Sequence, residues 1–160
     1  MINLNRINTE IFIGSYPQNT VDLERLRSGP KITAVLNLQT DDDFSALGVN
    51  WQKLEQGYQD REMVCQRWPI TDFSPQDLES KLEDAAALLD QLLSVGHRVY
   101  VHCTAGVGRA PATVIGYLAW HENMDLDEAY RFVREQRSCD PYIAAIRVVH
   151  DNRGRREQGS

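Results

Sequence analysis

The stretch RVYVHCTAGVGRAPATVIGY, residues 98–117, decides the fold. Val99, Tyr100 and Val101 are β-formers and predict a buried strand over 98–103. A loop of small, uncharged residues follows, Thr104 to Gly108, and then Arg109 opens an apolar run that predicts a helix over 109–122. Pro111 falls in the first turn of that helix, where a missing N–H costs nothing. A strand, a tight loop and a helix form the unit of an open α/β sheet, and such sheets bind ligands at the carboxyl ends of their strands.

The flanking sequence repeats the unit. Strands are predicted over 10–17, 32–39 and 64–70, and a short helix over 20–29 with Thr20 as its cap. Residues 40–52 are acidic and polar and predict a loop carrying two aromatics. In 75–95, Leu78, Leu82, Ala85, Leu89 and Leu92 recur three or four apart, one apolar face of a long helix. Two more helices are predicted over 125–137 and 141–152. Strands alternating with helices imply an α/β fold: a single compact domain whose central, mostly parallel sheet is flanked by helices. The domain is expected to span 1–152, with 153–160 as a flexible tail.

The chain has 160 residues, 42% hydrophobic and 25% charged, which suits one globular domain. Its net charge of −6 argues against nucleic acid and anionic membranes as partners. No apolar run approaches the roughly 20 residues of a membrane span, and the first residues do not form a secretory signal. A cytoplasmic location is therefore expected, and a mature organelle protein would read the same. Three cysteines with no C-x-x-C pair argue against a disulfide framework or a zinc site. His97, His121 and His150 have no ligand-like spacing, so no metal or cofactor is expected.

The chemistry centres on Cys103. The N–H groups of Thr104, Ala105, Gly106, Val107 and Gly108 can form an anion nest, and the helix behind them adds its positive end. A thiolate at Cys103 is stabilised in that field. Arg109 offers a planar fork that binds two phosphate oxygens at once. These parts imply attack of sulfur on a phosphate monoester, with Arg109 and the loop amides stabilising the equatorial oxygens. The leaving alcohol then needs a proton donor. Asp72, 31 residues upstream in ITDFSP, follows one strand and precedes one helix, so it can return to the same sheet edge. Ser74 is the better-placed helix cap there, which leaves Asp72 free. His102 is assigned to orienting the loop and tuning the thiolate, not to proton transfer. Asp41, Asp42 and Asp43 read as solvated surface, and Asp77 as a helix-dipole partner.

Here the chain resembles a family. HCTAGVGR is similar to the signature of the cysteine-dependent protein tyrosine phosphatases, and the small domain with an upstream loop Asp resembles their dual-specificity branch. The likeness runs from about Ile7 to His150. Ala105-Gly106 with Gly108-Arg109, TAVLNLQTDDD at 33–43 and Asp72-Phe73 are similar to the glucan phosphatases, of the laforin and plant starch-phosphatase type; GRAPAT at 108–113 resembles the plant enzymes. The resemblance implies Cys103 as nucleophile, Arg109 as phosphate clamp and Asp72 as general acid. Most of the wider family has Ser or Thr where this chain has Ala110, which implies a second step assisted differently, with Thr104 contributing. The catalytic domain uses up the 160 residues, so no carbohydrate-binding module is expected within them.

Phe73, Trp51, Trp68 and Tyr142 are candidate rim aromatics, on which sugar faces stack, although core packing is the commoner fate of such rings. Thr104, Ala105 and Val107 are neutral, whereas inositol polyphosphates or RNA triphosphate ends call for Lys or Arg there. Two enzyme readings follow: a phosphoglucan phosphatase, or a phosphatase for phosphotyrosine and phosphoserine or phosphothreonine proteins. A non-catalytic phosphate-docking module is a third reading, opposed by the intact Cys103, Arg109 and Asp72. A buried structural cysteine and a rhodanese-like sulfur carrier fit the His-Cys-Arg spacing less well.

Overall fold

A computed structural model describes residues 2–159. Among the described residues, five strands order as β1-β2-β5-β3-β4. These are β1 (Leu4–Arg6), β2 (Ile11–Gly14), β3 (Ala34–Asn37), β4 (Val64–Arg67) and β5 (Val99–His102). Only the edge pair β1–β2 is antiparallel; β2–β5, β5–β3 and β3–β4 are parallel. The fold is thus a single α/β domain with a mostly parallel sheet, as expected from the sequence.

The helices are α1 (Thr20–Ser28), α2 (Asp41–Leu47), α3 (Trp51–Asp60), α4 (Pro75–Ser94), α5 (Arg109–His121), α6 (Leu126–Gln136) and α7 (Ile143–Gln158). The pleat divides the core between the two faces of the sheet. Val99 and Val101 of β5, Ala34 and Leu36 of β3, and Ile11 and Ile13 of β2 join the larger core with the apolar stripe of α4 and most of α5. The residues between them, Tyr100, Val35 and Phe12, join a second core with Leu23 and Leu26 of α1 and Leu54 and Tyr58 of α3. Covered on both faces, the central strands are buried along their whole length, which is why their sequences run apolar instead of alternating.

The structure corrects three expectations and adds one strand. Residues 40–52 are not a loop: they form α2 and the start of α3. The acids of α2 sit in its first turn, and Thr40 and Asp43 form a capping box. Asn19, not Thr20, caps α1 by accepting from the Asp22 N–H. Strand β1 had no expectation attached; it is three residues long and carries no alternating pattern. The expected flexible tail is helical, because α7 continues to Gln158 and Arg153 and Arg156 both pair with Glu83 on α4; Ser160 lies outside the described residues. Among the described residues, no helix is long and apolar enough to cross a membrane.

Candidate active site

Register carries Cys103 to the centre of the sheet edge. Gly14, His102 and Asn37 are paired across β2, β5 and β3, so Cys103 emerges between two strands that end level with its own. It is 3% exposed. Cys103 forms one pocket of about 400 Å³ with Asp72, Phe73, Ala105, Val107, Gly108, Asp140 and Tyr142.

The loop is shaped from outside. The Thr104 carbonyl accepts from the Tyr16 N–H at 3.0 Å, and the Val107 carbonyl from the Asp140 N–H at 2.9 Å. Arg137, buried below the loop, donates to the Ala105 carbonyl (3.0 Å) and the Gly106 carbonyl (2.8 Å) and is steadied by Asn5 Oδ1. Four successive carbonyls are held outward. In a planar trans peptide the N–H points opposite to the C=O, so the N–H groups of residues 105–108 face away from these partners. Gly106 has φ +70°, a conformation that glycine adopts without a Cβ penalty. Gly108 caps α5 with no side-chain bond, leaving the helix's leading amides unblocked. Arg137 has no motif of its own in the sequence; it is the last residue of a predicted helix and shows its role only once α6 is packed.

Arg109 is 1% exposed, and a buried cation must be paired. Its Nη1 donates to Asp43 Oδ2 and to the Ile70 carbonyl, both at 2.7 Å. Its Nη2 donates to Thr104 Oγ1 at 3.2 Å and lies 3.3 Å from Asp72 Oδ2. Asp43, expected to be solvated surface, is therefore a partner of the buried arginine, while Asp41 remains 87% exposed. Burial works against ionisation of Asp43, but hydrogen bonds from Arg109 and Thr40 outweigh it and hold its carboxyl below the usual range.

Asp72 faces the same pocket and accepts a bond from the Tyr142 hydroxyl at 3.3 Å. Ser74 caps α4, so Asp72 is not used as the cap. Asp77 accepts from the Thr71 N–H at 2.7 Å and pairs with Lys81, which secures the base of the Asp72 loop. His102 Nδ1–H donates to the Cys103 carbonyl at 3.0 Å. Burial pushes its imidazole down to about 4; the bond to that carbonyl pulls the other way and Arg109 adds to the fall. His102 is thus neutral near pH 7.

The candidate rim aromatics separate into two pairs. Phe73 is 85% exposed and, with Tyr142, lines the pocket. Both have positive φ, 55° and 44°, a strained backbone for bulky residues that concentrates at functional sites. Trp51 and Trp68 do not line it. Trp51 stacks on Phe44 at 5.3 Å beneath Arg67, and the Trp68 indole N–H donates to the Lys81 carbonyl. Burial pushes the Cys65 thiol up to about 12 and also raises that of Cys139, so neither is a ready nucleophile.

The dual specificity phosphatase catalytic-domain model matches residues 11–147. The chain is 38% identical over 141 residues to the chloroplastic phosphoglucan phosphatase LSF1 of Arabidopsis thaliana, covering 88% of this chain and 24% of that protein. It is 34% identical over 149 residues to the amyloplastic phosphoglucan phosphatase DSP4 of Castanea sativa, covering 91% and 39%. This chain therefore spans well under half the length of these relatives. The crystal structure of PTPMT1 superposes with a TM-score of 0.76 at 19% identity, covering 99% of this chain and 100% of that one, a likeness of fold. With the cysteine loop, its arginine and the facing aspartate in place within the matched span, the chain belongs to the dual specificity phosphatase catalytic-domain family.

Proposed function

We propose that this domain hydrolyses phosphate monoesters through a cysteinyl-phosphate intermediate, and that its substrate is a phosphorylated glucan. One observation carries the reaction: Cys103 and Asp72 line the same pocket, and the buried Arg109 lies 3.3 Å from Asp72 behind it. Cys103 Sγ attacks phosphorus in line as the ester P–O bond breaks. The protonated Asp72 carboxyl gives its proton to the departing alkoxide, while Arg109 and the amides of residues 105–108 hold the three equatorial oxygens. Water then attacks phosphorus, Asp72 takes a proton from it, the S–P bond breaks, and thiolate and inorganic phosphate remain. Thr104 Oγ1 accepts bonds from Gln39 and Arg109, which leaves its own proton for the sulfur in the second step, where this chain has Ala110 in place of a hydroxyl.

The phosphoglucan relatives support the substrate, and so does the pocket. Thr104, Ala105 and Val107 provide no second cation for a polyphosphate. Phe73 and Tyr142 place aromatic surface beside the nucleophile, as a sugar ring requires. The chloroplastic and amyloplastic relatives favour an organelle, beside the cytoplasm that the sequence suggested. The deciding comparison is phosphate release from solubilised phosphorylated amylopectin and from a phosphotyrosine peptide. Glucan preference is expected; strong preference for the peptide replaces this reading with a phosphoprotein phosphatase. Cys103→Ser should abolish turnover of para-nitrophenyl phosphate, and a wild type inert on it would mark a docking module. Asp72→Ala should cut turnover more for a sugar phosphate than for para-nitrophenyl phosphate, whose leaving group needs little proton help. Equal losses on both would show that Asp72 is not the acid.

A further inference from the structure

Two carboxylates face one buried guanidinium, and their situations differ. Asp72 sits at the pocket, 3.3 Å from Nη2. Asp43 sits on the other side of the group, at the start of α2, outside the pocket lining. Both protons of Arg109 Nη1 are committed, one to Asp43 Oδ2 and one to the Ile70 carbonyl. Nη2 is shared between Thr104 and Asp72. Nε is buried and has no partner among the described residues. Of the edge formed by Nε and Nη2, Nε is therefore unengaged and Nη2 is held only by longer contacts, 3.2 Å to Thr104 and 3.3 Å to Asp72, that an incoming oxyanion would replace; two parallel N–H···O bonds need such an edge. An arginine guanidinium has two edges with paired N–H groups, Nε with Nη2 and Nη1 with Nη2, because Cδ occupies the third side, so some group must select this one.

The geometry points to Asp43 as the positioning residue of the phosphate clamp. The oxygen that accepts from Arg109 also accepts the Thr40 N–H at 3.0 Å, and the Asp43 N–H donates to Thr40 Oγ1 at 3.1 Å. The carboxylate is thus locked by the first turn of α2, and α2 sets the rotation of Arg109. Asp43 also stays with the cation while Asp72 changes protonation, so Arg109 is not left as an unpaired buried charge during turnover. Through the bond to Ile70, two residues before Asp72, the same anchor ties the clamp to the base of the acid loop.

This inference rests on the phosphomonoester reading, and its test is separable from it. The measurements are kcat and KM on para-nitrophenyl phosphate, the inhibition constant of inorganic phosphate, and the shift in melting temperature that phosphate produces. Asp43→Ala should raise the phosphate inhibition constant about tenfold and lower kcat/KM about ten- to a hundredfold, the scale of a misplaced binding group. Asp43→Asn should recover most of both, because its amide oxygen can accept the same two bonds. Thr40→Ala removes the cap hydroxyl and leaves the Arg109 contact, so it should lower the melting temperature with phosphate affinity unchanged. The inference is overturned if Asp43→Ala keeps wild-type phosphate affinity, if Thr40→Ala loses as much affinity as Asp43→Ala, or if Asn is no better than Ala. A wild type that turns over no para-nitrophenyl phosphate would count against the phosphatase reading instead. The phosphate-induced melting shift would still test the clamp.

Discussion

At the scale of single residues, the site is crowded enough that small changes have defined consequences. A Cβ on Gly106 would lie 2.5 Å from the Gly14 carbonyl oxygen and 2.7 Å from Arg137 Nη2, at a backbone φ of +70°. Gly106→Ala should cost about 1–3 kcal/mol from strain alone, read as a lower urea midpoint, and should weaken phosphate inhibition because the amide nest shifts. Loss of stability with full phosphate affinity would show that Gly106 serves packing only. His102 makes a pH prediction. Its folded pKa of about 4 lies below its ordinary value of 6.5, so the unfolded chain binds the extra proton between those values. The stability linked to the neutral ring is fully present above pH 6.5 and is lost as pH falls toward 4, by up to about 3 kcal/mol. Urea midpoints between pH 7.5 and 4.5 should fall, and His102→Asn should flatten that slope; an unchanged slope assigns it to other groups. The sequence showed Cys103, Arg109 and the glycines because their spacing along the chain is itself the pattern. It hid Arg137 and misplaced Asp43, which reach the loop and its arginine from 32 and 66 residues away.

At the scale of elements, apolar periodicity located α4 and α5 to within a residue or so because each has one continuous face to bury. Leu89 lies at the centre of the α4 stripe with no exposure, and Leu89→Ala should cost about 2–5 kcal/mol by chemical unfolding. A cost under about 1 kcal/mol would mean that the α4–sheet interface closes over the cavity. The same criterion failed for α2 and α3. TDDDFSALG is polar and acidic, and its helix depends on the Thr40–Asp43 box and on a left-handed Gly48, with Phe44 its only buried residue. The signal was present as Thr followed three residues later by an acid, but a run of three acids outweighed it. Strand β1 was not legible because an exposed edge strand of three residues buries too little to impose alternation.

At the scale of the molecule, one sheet is shared by two cores, so neither helical layer can lose its packing alone. Unfolding should be a single cooperative transition. The tryptophans test this, since Trp51 packs on one core and Trp68 and Trp120 on the other. Tryptophan fluorescence and far-UV circular dichroism should give coincident urea curves, and a resolved two-step curve would show that the layers are independent. The sequence by itself determined the α/β class, the strand–loop–helix unit, and the small-residue loop that sets Cys103 and Arg109 at its two ends. Each of these is a local pattern, written by side-chain periodicity or backbone freedom over fewer than about twenty residues. Only the tertiary structure decided which aromatics reach the pocket, which acid holds Arg109, and which cation holds the loop carbonyls. Those choices depend on strand order and register, which bring Asp43, Asp72, Cys103 and Arg137 together at one sheet edge, and spacing along a chain does not encode which distant residues share an edge.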